Sequence, residues 1–342
     1  MATSPATTDE KRTHRVRPLT AKDLDAVVAI DALLEGQVRR RYFERRLAAA
    51  TRAPELHAQL AIDENGALAG CVLARVLEGE FGRTEPAMRL EVIGVKRPAQ
   101  GRGIGAALGA ALEDEARRRG IRELRTAASW RQHRMLRFLD HGGWSLGRNQ
   151  VLDCAIDAGG PATPRDAPAT ASGEEPRGDP NDYSAAHAND FEALARDVVD
   201  LRVLRPQDLE AVARLDRRIT GRDRSAYLSH ALAEAAEGFA VRASFAAWVD
   251  GAIAGYMMAR LDLGDFGRTA PVAILDTIGV DPRHGRQGIG RALLSQLFVN
   301  LAALRAERVE TVLSHANLDL LAFFVRAGFR PSDRLAFVKR LD

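Results

Sequence analysis

The sequence predicts a mixed α/β (α+β) protein built as two tandem domains, each a mostly antiparallel sheet flanked by helices. Three observations predict it. The first is an internal repeat: Phe81-Gly82-Arg83-Thr84 returns as Phe266-Gly267-Arg268-Thr269, Ile93-Gly94-Val95 as Ile278-Gly279-Val280, and Gly103-Ile104-Gly105 as Gly288-Ile289-Gly290, every pair 185 positions apart. A constant spacing over three separate motifs marks one duplicated unit. The second is size: 342 residues, 46% of them hydrophobic, supply two ordinary cores more readily than one. The third is the order of periodic patterns within each copy, which runs strand, helices, hairpin, strand, glycine-rich turn, helix, strand, helix, strand.

Residues 1–14 read as a polar, disordered tail, and residues 15–157 as the N-terminal domain. A strand starts at Arg15. Leu24, Val27, Val28 and Ile30 fall at helical spacing, and a second, Arg-rich helix runs from Arg39 to Ala50 with the look of a solvated face. Gln59–Asp63, the turn Asn65-Gly66 and Leu68–Leu77 form a hairpin signal. The strand that follows ends at Val95, the next helix covers Ala106–Arg118, and Arg122–Ala128, Gln132–His141 and a strand pair from Gly143-Trp144 to Ala155 close the unit.

From 158 to 195 the chain turns to Pro, Gly, Ala, Thr and Asp and reads as a linker, with a short helix from Phe191 to Val199. Residues 196–342 repeat the plan as the C-terminal domain. Its helices are expected at Leu209–Ile219, Arg224–Ala236, Arg291–Leu304 and Leu318–Arg326. A hairpin turns at Asp250-Gly251, strands reach Val280 and cover Val309–Ser314, and a final strand reaches Leu341.

Composition excludes several classes. Forty-nine basic residues against 46 acidic ones leave a mixed surface without a cationic block, which argues against nucleic acid. No uncharged run approaches a membrane span, and the first eleven residues lack the apolar core of a signal peptide, so a cytoplasmic protein that touches no membrane is expected. Cys71 and Cys154 lie far apart in apolar runs and read as reduced core residues; no metal site is expected. Trp130, Trp144 and Trp248 are expected to fill cores.

Each copy places a glycine loop, Gln100-Gly101-Arg102-Gly103-Ile104-Gly105 or Gly285-Arg286-Gln287-Gly288-Ile289-Gly290, between an apolar strand and a helix. Glycines let the main chain approach a ligand, and the N–H groups left open at a helix start converge on an anion. A phosphate-bearing ligand is therefore expected twice, with Arg102, Arg286 and Arg291 as nearby cationic donors. Residues 101–106 also satisfy the dinucleotide pattern Gly-x-Gly-x-x-Ala, but the loop comes about 80 residues into its domain instead of after the first strand, and the second copy breaks the spacing.

The Gln-x-x-Gly-x-Gly loop at Gln100, Gly103 and Gly105, the element order around it and the late Asn317 with Phe324-Val325-Arg326-Ala327-Gly328-Phe329 resemble the GCN5-related N-acetyltransferase (GNAT) family across nearly the whole chain outside tail and linker. The resemblance implies two GNAT-like domains with splayed sheets. It implies acetyl-coenzyme A as cofactor and a primary amine, on a small molecule or a protein, as acceptor, in a monomer or homodimer. It places the pantetheine arm along Ile93, Gly94 and Val95 or Ile278, Gly279 and Val280. The pyrophosphate would lie on Gln100, Gly101, Arg102, Gly103, Ile104, Gly105 and Ala106, or on Gly285, Arg286, Gln287, Gly288, Ile289, Gly290 and Arg291, with Asn317 nearby.

Direct attack by an amine needs a proton acceptor, because a lysine-like amine titrates near 10.4. Glu91 and Asp276, equivalent carboxylates within apolar strands, are the candidates. The other reading of each is a side chain turned to solvent or to an arginine of the repeated Phe-Gly-Arg-Thr turn. Where many relatives carry a tyrosine acid, this chain has Phe324 and Leu139, so a non-catalytic acyl-CoA-binding or regulatory protein with one or both domains degenerate is the alternative function.

Overall fold

A computed structural model of the protein describes residues 15–82, 85–156, 199–237, 243–262, 272–303 and 306–342. The expected tail, the linker, the Phe266-Gly267-Arg268-Thr269 turn and nearly all of the Phe191–Val199 helix lie outside the described residues.

The hairpins form where the turn residues ask for them. Asn65 and Gly66 have φ of 54° and 77°, and Asp250 and Gly251 have 50° and 75°, the left-handed pair of a two-residue hairpin that suits strand twist. They join β2 (His57–Glu64) to β3 (Ala67–Leu77) and, in the second copy, β9 (Ser244–Val249) to β10 (Ala252–Asp262). The edge strands β1 (Arg15–Pro18) and β8 (Asp200–Val203) pair with β2 and β9, and β4 (Ala87–Val95) and β11 (Val272–Val280) add on the other side, all antiparallel. Only then does a parallel pair appear: β5 (Glu123–Ser129) beside β4, and β12 (Arg308–Ser314) beside β11.

Helices cover both faces of each sheet. In the first half, α1 (Leu24–Glu35) and α2 (Arg40–Arg52) bury Val27, Ile30, Phe43 and Leu47 against one face. On the other, α3 (Ile104–Arg118) buries Ile104, Leu108, Leu112 and Ala116, an i, i+4 row against Val72 and Leu90. Each such Leu or Ile contributes roughly 1.5–3 kcal/mol. Close approach depends on Gly70, where a Cβ would stand 2.9 Å from the Gly94 carbonyl and 3.1 Å from the Ile104 side chain; its equivalent Gly255 meets Ile289 at 2.8 Å. In the second half α5 (Leu209–Thr220) and α6 (Ser225–Glu237) take the first face and α7 (Ile289–Ala303) the second. The helices α4 (His133–His141) and α8 (Leu318–Arg326) follow β5 and β12.

Chain order and sheet membership part company at the end of each copy. After the two-residue β6 (Ser145–Leu146) the chain crosses, and β7 (Asn149–Ala155) pairs with β12 of the second sheet, in register from Asn149 against Ser314 to Ala155 against Arg308. After β13 (Arg330–Pro331) the last strand, β14 (Arg334–Arg340), returns to the first sheet and lies between β5 and β6. Among the described residues the two seven-stranded sheets therefore read β1-β2-β3-β4-β5-β14-β6 and β8-β9-β10-β11-β12-β7-β13. Leu152 and Cys154 consequently belong to the second core and Leu341 to the first. At one crossing Arg334, 4% exposed, donates to the fully buried Glu310 at 3.0 Å.

Three expectations change. Arg39 and Arg46 of the Arg-rich stretch are turned inward, not solvated. Trp130 is 58% exposed and fills no core. The helices after the glycine loops start at Ile104 and Ile289, earlier than expected, because left-handed Gly103 and Gly288 turn the chain directly into them. No helix among the described residues is long and apolar enough to cross a membrane.

Candidate active site

The parallel strands touch only at one end. β4 is in register with β5 at Met88 and Arg89 alone, and β11 with β12 from Val272 to Ile274. The last tie in each copy is a threonine hydroxyl: Thr126 donates to the Leu90 carbonyl at 2.9 Å and Thr311 to the Leu275 carbonyl at 3.0 Å. Beyond it the strands diverge, and the main chain of Ile93–Val95 and Ile278–Val280 has no strand partner on that side. A wedge lined by unpaired peptide groups suits an extended, amide-bearing ligand.

The glycine loops stand at the open end of each wedge. Gly101 and Gly103 have φ of 75° and 82°, and a Cβ on either would meet nothing within 4 Å. The Gln100 N–H bonds Arg97 and the Ala107 N–H bonds Gly103, so the amides between them are those a helix start leaves without an intrahelical partner. Gly285 to Pro282 and Ala292 to Gly288 bracket the second loop in the same way. These features fit a bound pyrophosphate.

Several side chains of the loops have other tasks. Gln100 donates to the Val95 carbonyl at 2.9 Å, tying loop to strand, and Arg102 lies 3.3 Å from Glu64. Ile104 and Ile289 are buried core residues. Gly105 and Gly290 make room for the Phe138 and Phe323 rings, each 3.3 Å from where a Cβ would be. Arg286 takes the left-handed conformation its counterpart Gly101 adopts freely, at φ 62°. In place of the missing glutamine the second loop is fixed by Asp281, which accepts from the Arg283 backbone at 3.0 Å and pairs with Arg283 and Arg218. Its hydrogen bonds with Arg283 hold the Asp281 carboxyl below the usual carboxylate range. Gln287 sits 3.3 Å from His284, Arg291 is exposed on the first turn of α7, Ala106 occupies the matching place on α3, and Asn317 caps α8 by accepting from the Leu320 N–H at 3.2 Å.

Glu91 and Asp276 each occupy a β-bulge. The partners skip from Leu73–Val92 to Ala74–Leu90, and from Met258–Thr277 to Ala259–Leu275, so each carboxylate is the extra residue. A bulge re-aims its side chain out of the regular alternation. The two environments differ. Glu91 is 2% exposed and pairs with Arg46 from α2, while the turn arginines Arg83 and Arg268 lie outside the described residues. The residue equivalent to Arg46 is Ala231. Asp276 is instead held from the side by Arg260 at 2.8 Å and lines two clefts, of about 580 and 490 Å³, between the two halves.

The repeat spacing also exposes residues that the sequence reading passed over. Asp31 and Arg39 recur as Asp216 and Arg224. Both pairs are buried and bidentate, with Nε distances of 2.8 and 2.9 Å. Burial disfavours each guanidinium, and its aspartate more than offsets that. In the second copy the pair extends to Tyr256 and to Thr277 at 3.1 Å, and Arg224 donates to the Gly79 carbonyl of the first half. The residues Glu78–Phe81 are thereby clamped onto the second site: Glu78 meets His230 at 2.9 Å, and the Phe81 ring, on left-handed backbone, lies 6.3 Å from Phe324 edge to face. Phe324 and Leu139 are wholly buried, and His133 and His315 are exposed.

The model of the acetyltransferase (GNAT) family matches residues 25–142 and again 209–329. The chain belongs to the GNAT family. No match is found among curated protein sequences. A tandem GNAT protein from the clavulanic acid biosynthesis pathway superposes with a TM-score of 0.59 at 17% identity over 96% of this chain and 98% of that one. A GCN5-related N-acetyltransferase from Sphaerobacter thermophilus gives 0.55 at 17% identity, over 96% and 95%. The chain also matches the GCN5-related glucosamine N-acetyltransferase region of a fungal multi-domain GH3 β-N-acetylglucosaminidase at TM-score 0.63 and 14% identity; 96% of the chain spans 38% of that protein. These likenesses establish a tandem GNAT fold. As a GNAT protein, this chain carries two splayed wedges, one with its bulged carboxylate paired to Arg46 and one with its bulged carboxylate paired to Arg260.

Proposed function

We propose that the protein is a cytoplasmic N-acetyltransferase that moves the acetyl group of acetyl-coenzyme A to a primary amine by direct attack, and that the C-terminal half carries the reaction. The observation that supports this placement is the pair of bulged carboxylates: Arg46 covers Glu91, whereas Ala231 takes its place in the second copy and Asp276, paired with Arg260, lines a cleft.

Acetyl-coenzyme A supplies an activated thioester when bound. The loop amides of 285–291 would hold its pyrophosphate, and the unpaired main chain of Ile278–Val280 its amide-bearing arm. Asp276 would take the proton that an ammonium must lose before it attacks. The N-terminal half has the same wedge and loop, so its reading is cofactor binding without turnover.

The test mixes the full chain with acetyl-coenzyme A and a panel of amines and follows free thiol between pH 7 and 9. Thiol release that depends on the amine and falls with Asp276→Asn is expected. Binding of the cofactor with no release from any amine would replace this reading by that of an acyl-CoA-binding protein.

A further inference from the structure

A residue that lines the smaller of the two clefts beside Asp276 carries a polar atom with no bonding partner among the described residues. The Tyr227 hydroxyl is buried, the residue being 8% exposed, and it has no hydrogen-bond partner among the described residues. Buried hydroxyls are nearly always paired, and an unpaired one is costly. Its ring is firmly placed: the Arg224 guanidinium lies 5.2 Å from the ring centroid, and Gly79 packs so closely that a Cβ there would be 3.1 Å from the ring. Tyr227 thereby lines a cleft that also holds Asp276, Arg260, Arg75 and Glu80, its hydroxyl covered at the edge of that lining.

We propose that the Tyr227 hydroxyl is the anchor for the acceptor in this cleft, and that the acceptor is a polar amine carrying a hydrogen-bond-accepting oxygen a few bonds from its nitrogen. The proposal rests on reading Asp276 as the base. An amine delivered to Asp276 has Tyr227 as neighbour on the same wall, and an oxygen on that amine satisfies the hydroxyl. Burial, and then the negative charges of Asp276 and Glu80, raise the Tyr227 titration well above the ordinary tyrosine range against the opposing Arg224, so the group stays a neutral donor. Arg75 comes from β3 of the first half and Tyr227 from α6 of the second, so the acceptor cleft needs both halves.

Tyr227→Phe keeps the ring and deletes the oxygen. Two size-matched amine pairs serve as probes: ethanolamine with propylamine, and β-alanine with 3-methylbutylamine. In wild type the oxygen-bearing member is expected to be preferred about ten-fold or more in kcat/KM, and in Tyr227→Phe the ratio should fall close to one. The melting temperature of the free variant should rise by roughly 2–4 °C, because an unpaired buried hydroxyl is gone. Acetyl-coenzyme A affinity by calorimetry should not change.

A variant that melts lower and keeps the preference would make the hydroxyl a structural group and overturn the proposal. If wild type releases no thiol from any amine, the acetyltransferase reading fails by itself, and ethanolamine binding decides the cleft. Binding to wild type that is lost in Tyr227→Phe upholds the anchor, and equal binding to both, or none to either, overturns it.

Discussion

The Arg46 guanidinium lies on the Glu91 carboxylate and closes it off from solvent, and 185 positions later the same place is held by Ala231 beneath an open Asp276. One side chain on α2 thus sets the surroundings of the two bulged carboxylates apart. Arg46→Ala is expected to lower stability by about 3–5 kcal/mol, since it leaves a buried charge without its partner. Arg46→Met with Glu91→Leu should recover most of that loss, as denaturant midpoints will show.

Asp276→Asn is expected to reduce kcat about 10²–10⁴-fold, the usual span for a general base, with cofactor affinity unchanged. Glu91→Gln should leave turnover within about two-fold. Equal losses in both variants, measured by thiol release, would reverse the assignment of the working half.

Both glycine loops are expected to bind coenzyme A. Calorimetry should give two sites per chain, and Gly103→Val or Gly288→Val should each remove one. Valine is poorly suited to φ of 82° and 85° and projects into the space that a Cβ at Gly103 finds empty.

Arg334→Ala addresses the strand crossing. Glu310 would remain fully buried without the guanidinium that meets it at 3.0 Å, at a cost of about 3–5 kcal/mol, and urea unfolding should show it.

Acid sensitivity follows from Asp23. Hydrogen bonds from Arg17 hold its carboxyl at about 2, below the ordinary 3.8. A carboxyl lowered on folding adds stability above its unfolded value and loses it as pH falls through the folded one. Stability should therefore decline between about pH 4 and pH 2, and Asp23→Asn should flatten that part of the curve in thermal melts taken at stepped pH.

The glycine loops, the hairpins at Asn65-Gly66 and Asp250-Gly251 and the tandem plan were legible because each is written in local dihedral needs and a fixed spacing. The Asp31–Arg39 and Asp216–Arg224 pairs went unread although the 185-residue spacing carries them, because a charged residue in an Arg-rich stretch looks solvated until its fold is known.

The sequence by itself determined the repeated fold, its family and the position of both glycine loops, since periodicity, glycine φ and helix starts act over a few residues. Only the tertiary structure decided that β7 and β14 exchange sheets, because a strand's alternation fixes its face and not its partner. It alone placed Arg46 on Glu91, seated Glu78–Phe81 of the first half on the second site, and left the Tyr227 hydroxyl unpaired beside Asp276. Those outcomes depend on which side chains meet in space, within a half or across the two, and no local pattern encodes that meeting.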